Sequence, residues 1–322
     1  MNLSYIIKKA VVLVLLLLPL VSHFSFSAPL ASVSTPAELL SGVGKANRNH
    51  NFRGLLTYEA NGYMRSLRLT HDVENEVSHQ RLEFLDGPKR QVVRRQGLYH
   101  CDSGATRWGL WPNEFNTREL AKAYKITLVG DERVAGRNAS VVSVLPRDEY
   151  RYGYQFSIDK ETGLLLKTLL IIKESVIERL QFVDISLADA NTLGDTVSKS
   201  VTEVDTGYTL RVPEVEPCRH DHYQSSWRVT WLPKGFVSVG NRVTNKGEQV
   251  LMYSDGLATL SVFIHDKSYA FLPKGTARRG ATVAVMSPVE HSIGSYTVIV
   301  VGEVPKITAR QVAVSVRNRP VQ

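Results

Sequence analysis

Gly54-Leu55-Leu56-Thr57-Tyr58-Glu59-Ala60-Asn61-Gly62-Tyr63-Met64-Arg65-Ser66-Leu67-Arg68-Leu69-Thr70-His71 sets the texture of the chain. Residues 54–60 and 64–71 alternate between apolar and polar side chains, which places one row against a core and the other toward solvent, as on a half-buried strand. Between them stands Asn61-Gly62. Both residues adopt positive φ at little cost, so the pair predicts a two-residue turn and an antiparallel hairpin.

The same texture continues outward. Strands are expected over 77–84, 90–94, 98–102 and 106–110, with Asp86-Gly87-Pro88 as a turn. A polar stretch at 113–122 could be helical. Strands resume over 124–129, 139–145, 152–158, 164–172 and 176–184, two of them joined by Asp159-Lys160-Glu161-Thr162-Gly163. Upstream, Thr35-Pro36-Ala37-Glu38 carries a helix start: a capping threonine, proline in the first turn and glutamate completing a capping box. A helix over 36–47 follows, with Leu39, Leu40 and Val43 on one face. One leading helix and many antiparallel strands imply a large curved sheet or an unclosed barrel wrapped on the helix.

Between Ala188 and Ser226 the apolar periodicity fades, and Asp189, Asn191, Gly194, Asp195, Pro213 and Pro217 mark a linker over 191–225. Order returns at Trp227-Arg228-Val229-Thr230-Trp231-Leu232-Pro233. Strands fit 248–253, 258–264, 281–286 and 296–301, and the segment 306–316 after Pro305 reads as a terminal helix. The fold class is α+β, mainly antiparallel β, with a first domain over 28–190 and a second over 226–322. The 322 residues suit that division, since a domain usually takes roughly 150 residues.

The first residues read as an address. Lys8 and Lys9 precede the apolar run 10–21, and Ser25-Phe26-Ser27-Ala28 supplies a small-x-small cleavage site. These are the parts of a secretory signal peptide, residues 1–27, cut after Ser27. The chain is therefore expected to be exported from the cytoplasm. Once outside, Cys101 and Cys218 could form a disulfide, the alternative being two separately buried thiols.

Chemistry is sparse. The sequence lacks a Gly-x-Ser-x-Gly elbow, a His-Glu-x-x-His pair and a Walker loop. Cys218-Arg219-His220-Asp221-His222 is the densest group of ligand-type residues; on a strand His220 and His222 would face one way and could share a metal, the alternative being solvated imidazoles. With no second group at metal-site spacing, neither a metal nor another cofactor is expected, and the chain does not read as an enzyme. Charge says more, with 39 Lys and Arg against 31 Asp and Glu. Arg81, Lys89, Arg90, Arg94 and Arg95 bracket Asp86-Gly87-Pro88, and guanidinium groups suit phosphorylated lipid or an acidic protein segment. Nucleic acid is not an expected partner of an exported chain.

Five segments in order resemble the MucB/RseB family of periplasmic regulators of envelope stress. They are Leu85-Asp86-Gly87-Pro88-Lys89-Arg90, Tyr154-Gln155-Phe156-Ser157-Ile158-Asp159 running to Leu165, Trp231-Leu232-Pro233-Lys234-Gly235-Phe236, Tyr253-Ser254-Asp255-Gly256-Leu257-Ala258 and Val300-Val301-Gly302-Glu303-Val304-Pro305. The resemblance implies a first domain similar to the lipoprotein carriers LolA and LolB, an unclosed β-barrel around helices, and a smaller α+β second domain. It also implies a regulator that binds the periplasmic part of a membrane anti-sigma factor (RseA/MucA-like) and shields it from the site-1 protease. Lipopolysaccharide or another lipid would release it. Trp231, Phe236, Tyr253 and Asp255 lie in matching segments and become candidate partner contacts. The five basic residues around Asp86 become candidates for acidic lipid. A homo-oligomer is left open. A periplasmic lipid or lipoprotein carrier is the alternative, which the first domain alone would permit, and a hydrolase using 218–222 is a third reading.

Overall fold

The computed structural model describes residues 34–75, 77–96, 114–188, 208–211, 225–244, 247–266, 275–291 and 294–318. The leader 1–27, the expected strands 98–102 and 106–110, Cys101, Cys218, His220 and His222 lie outside these residues. The described residues from Thr35 onward cluster as one compact unit.

Helix α1 (Pro36–Asn49) starts as its sequence dictates: the Thr35 hydroxyl accepts from Glu38 N at 3.2 Å and the Glu38 carboxylate accepts from Thr35 N at 2.7 Å. Its buried face carries Leu40, Val43 and Ala46. Strands β1 (Asn51–Ala60) and β2 (Tyr63–Glu74) then form the expected hairpin, closed by Ala60 opposite Tyr63. Asn61 and Gly62 have φ of 52° and 75°, the pair of left-handed conformations that a type I′ turn requires. Strands β3 (Val77–Phe84) and β4 (Arg90–Gln96) extend the sheet on one side. After helix α2 (Thr117–Ala123), strands β5 (Tyr124–Val134), β6 (Arg137–Pro146), β7 (Gly153–Asp159), β8 (Leu165–Ile172) and β9 (Ser175–Ala188) run as a meander back to β1. Among the described residues, and counting β10 (Tyr208–Arg211), the sheet has ten strands in the order β10-β4-β3-β2-β1-β9-β8-β7-β6-β5 and does not close, because its terminal strands do not pair with each other.

One member corrects the sequence expectation. β10 (Tyr208–Arg211) falls inside the segment read as linker, yet it pairs in parallel with β4, Tyr208 opposite Arg90 and Arg211 opposite Val93. A four-residue strand of this kind is held by its neighbour's free backbone groups and needs no apolar periodicity of its own.

Core packing explains the strand alternation. Phe52 and Leu56 of β1 point inward with Leu67 and Leu69 of β2, and Tyr154, Phe156, Leu165 and Phe182 come from the meander. Gly54 lies on the same inward row. A Cβ there would collide with the Phe182 ring, so only glycine lets that ring lie across β1.

The second domain is a six-stranded sheet in the order β12-β13-β14-β17-β16-β15. Its strands are β12 (Val237–Val243), β13 (Gln249–Ser254), β14 (Thr259–Asp266), β15 (Gly275–Arg279), β16 (Thr282–His291) and β17 (Gly294–Gly302). The terminal helix α3 (Lys306–Val314) buries Ala309, Val312 and Ala313 against Val283, Val285, Val298 and Val300. Strands β11 (Trp227–Val229) and β18 (Val316–Asn318) pair and bring the ends of the domain together.

Candidate functional site

The central residues joining the two sheets, Asp148, Arg151, Lys234 and Asp255, come from turns and loops. Arg151 sits just before β7, between Tyr150 and Tyr152, and its side chain is fully covered. One guanidinium nitrogen donates to Asp255 Oδ2 at 2.7 Å, while Nη2 donates to Asp148 Oδ2 at 3.0 Å and to the Lys234 carbonyl at 2.6 Å. The group lies 5.4 Å from the centroids of Tyr124 and Phe236, one ring from each domain. Asp255 is shared between the two sides. Its Oδ2 also accepts from the Tyr124 hydroxyl at 2.8 Å, and its Oδ1 caps its own turn by accepting from Leu257 N and Ala258 N at 3.0 and 2.8 Å. Burial, and then the Asp255 charge, push the Tyr124 phenol well up, so it stays a donor at any physiological pH.

Further bonds cross the same joint. The Tyr152 hydroxyl lies 3.0 Å from the Val304 carbonyl, Thr308 Oγ1 donates to the Tyr150 carbonyl at 2.7 Å, and Ala281 N donates to Glu178 Oε1 at 2.6 Å. Leu257 and Ala281 of the second domain belong to the first domain's core.

This geometry gives the expected partner contacts an internal role. Asp255 is the acidic half of the clasp, Phe236 is 7% exposed beneath Arg151, and Tyr253 is 9% exposed in the second core. Trp231 packs edge-on against Tyr150 with centroids 5.1 Å apart. The Trp231–Phe236 and Tyr253–Ala258 segments are thus used in holding the domains together. Arg151, Asp148 and Tyr124 have no counterpart in the sequence reading. The one available signal is an arginine between two tyrosines beside a strand, and its partner Asp255 is about one hundred residues away along the chain.

The basic group around Asp86 does not make one patch. Across β3 and β4, Arg81 stands opposite Val93 and Phe84 opposite Arg90, so Arg81 and Arg90 lie on opposite faces of the sheet. The register sets Arg94 against Gln80 and Arg95 against His79. The Arg90 guanidinium covers the Phe84 ring at 3.6 Å, and Lys89 is exposed on the turn. Asp86 is tied back to β2, its carboxylate accepting from Ser66 N. Arg81 acts inside the molecule: with Arg53 and His79 it opposes the effect of burial, which pushes the Asp72 carboxyl up.

A cleft of about 330 Å³ opens between the domains. The β1–β2 turn, the start of β9 and Arg278 of β15 line it, with Glu59, Asn61, Glu178 and Arg179 among its walls. Among the described residues, no group of three or more His, Cys, Asp or Glu stands where it could hold a metal ion, and no helix is long and apolar enough to cross a membrane.

Among the described residues, two mainly antiparallel β domains are clasped by buried charge and leave sheet edges and a cleft open. Residues 35–205 match the family model of the MucB/RseB N-terminal domain and residues 221–317 that of the MucB/RseB C-terminal domain. The chain belongs to the MucB/RseB family. It is 35% identical over 305 residues to the sigma factor AlgU regulatory protein MucB of Pseudomonas aeruginosa, covering 90% of this chain and 93% of that one. It is 26% identical over 313 residues to the sigma-E factor regulatory protein RseB of Escherichia coli K12, covering 91% and 93%. The solved complex of Pseudomonas aeruginosa MucA and MucB contains a chain with TM-score 0.71 and 32% identity, covering 89% of this chain and 99% of that one. A crystal structure of MucB has TM-score 0.64 at 31% identity, covering 88% and 98%. The family is one of regulatory binding proteins.

Proposed function

We propose that this chain is an exported negative regulator of a sigma-E-type envelope-stress response. It binds the periplasmic segment of a membrane anti-sigma factor, shields that segment from the site-1 protease, and is released by lipopolysaccharide or another lipid. The observation that carries this reading is the likeness, at 35% identity over 90% of the chain, to a sigma-factor regulatory protein. Relatives solved in complex with MucA and its periplasmic part support the partner. Export by the leader 1–27 puts the chain in the partner's compartment.

The mechanism is occupancy. A segment held on the surface of this chain is withdrawn from the protease, with no bond made or broken. Lipid acts by linkage: a ligand that favours the free regulator over the complex weakens the complex by that difference, each 1.4 kcal/mol or so giving about a factor of ten. Cleavage of the anti-sigma periplasmic segment by the site-1 protease should slow in proportion to the bound fraction when the exported chain, residues 28–322, is added. Lipopolysaccharide should restore the rate. Cleavage at the same rate with saturating chain would refute the shielding role.

A further inference from the structure

The two edges of the second sheet are built differently. At one edge, β12 is broken by a register shift between Ser238 and Gly240, a bulge of the kind that turns an edge strand away from further pairing. At the other, β15 pairs with β16 in unbroken register from Gly275 opposite Met286 to Arg279 opposite Thr282. All five residues of β15 are exposed, and among the described residues no strand pairs with its outer side. A regular, open edge presents unpaired N–H and C=O groups to any extended chain that meets it.

Charge and space select the occupant. β15 ends on Arg278-Arg279. Arg278 uses its Nε on the Gly280 carbonyl at 2.8 Å, which leaves its terminal nitrogens for another acceptor. The nearby carboxylates are already engaged: Glu178 Oε1 accepts from Ala281 N, and Glu59 faces Arg179 at 3.9 Å. The interdomain cleft opens beside Arg278. At about 330 Å³ it is near the lower limit for a ligand pocket, which runs from about 300 Å³. That is room for one large side chain, and too little for a lipid with several acyl chains.

We propose that the bound anti-sigma segment adds to the second sheet as a strand along β15, with one of its carboxylates on Arg278, another on Arg279 at the opposite face of the sheet, and a side chain in the cleft beside Arg278. This rests on the regulator reading above and names the site through which it works. Hydrogen exchange of the exported chain, alone and with the periplasmic segment, should show the amides of 275–279 gaining protection on binding. Arg279→Glu, at an exposed position, should keep the melting temperature and weaken binding by about tenfold or more. Val237→Glu on β12 should leave affinity unchanged. Tight binding by Arg279→Glu with unprotected β15 amides would overturn the edge site and leave the regulator standing. No binding by the unaltered chain would overturn both. Protection of the same amides in the chain alone as its concentration rises would give the edge to a second copy, and also overturn the proposal.

Discussion

Arg151→Ala is expected to destabilise the protein by about 3–5 kcal/mol, the range for removing one partner of a buried ion pair. The cost arises from what is left behind. Asp255 would remain 7% exposed with its charge answered only by the Tyr124 hydroxyl and two backbone amides, and Asp148 would lose its guanidinium as well. The Lys234 carbonyl would lose a donor, and the rings of Tyr124 and Phe236 the cation they flank. Asp255→Asn should cost less, because the amide oxygen can still cap the turn at Leu257 and Ala258. The double variant Arg151→Ala/Asp255→Asn should lose less than the sum of the two, since each single change already breaks the pair. Denaturant unfolding monitored at the aromatic residues measures all three. Additive losses, or a cost for Arg151→Ala under about 1 kcal/mol, would mean that the joint is held by the apolar contacts of Leu257 and Ala281 instead.

The second large effect is a pH dependence. His71 stacks on Phe52 at 4.7 Å, places Nε2 2.7 Å from the Asn47 carbonyl and Nδ1 3.0 Å from Gln80 Nε2. The carbonyl needs a donor, so Nε2 carries the proton and Nδ1 accepts from the Gln80 amide; the ring is neutral and pins the end of α1 to the sheet. Burial is the main reason its pKa is lowered from 6.5 to about 4. A histidine whose folded-state pKa is depressed binds its proton more readily when unfolded, so stability falls as pH drops below about 6.5 and levels off near 4. Over that window the lost stability is about 3 kcal/mol, since each tenfold difference in proton affinity between the folded and unfolded chain is worth about 1.4 kcal/mol. Replacing His71 with glutamine should lower stability at pH 7 while flattening its decline between about pH 6.5 and 4. Parallel declines in the two proteins would show that His71 does not titrate in this way.

Local signals are the legible part of this fold. Asn61-Gly62 specifies its turn because few pairs tolerate two positive φ values in succession, and Thr35 with Glu38 specifies a helix start because their groups satisfy each other. The helix after Pro305 is readable despite its uneven period, and it ends at Val314, just before β18 continues the chain. Strands β10, β12 and β15 are not legible. β15, Gly-Thr-Ala-Arg-Arg, has no apolar alternation because it buries nothing; it exists because β16 offers it a free edge. β12 carries Gly240 and Asn241 in its middle, which look like a turn and instead pair with Met252 and Leu251, just past the bulge at Val239.

The joint is illegible for a different reason. Trp231, Phe236, Tyr253 and Asp255 stand in family motifs, and motif membership does not distinguish a residue that meets a partner from one that meets the chain's other domain. The placement of Arg151 against Asp255 and over Phe236, with Asp148 and Lys234 around it, shows that these two residues meet the chain's other domain. In the basic group around Asp86, proximity in sequence puts Arg81 and Arg90 together, and the strand period puts them on opposite faces.

If this chain regulates by holding an anti-sigma factor's periplasmic segment and letting it go to lipid, the binding itself is what must be measured. A calorimetric titration of the exported chain with that segment, repeated with lipopolysaccharide present, does so. Saturable binding at a fixed stoichiometry is expected, weakened by lipopolysaccharide. No binding to the segment, with lipid or lipoprotein still captured, would contradict the regulatory role and make the chain a carrier.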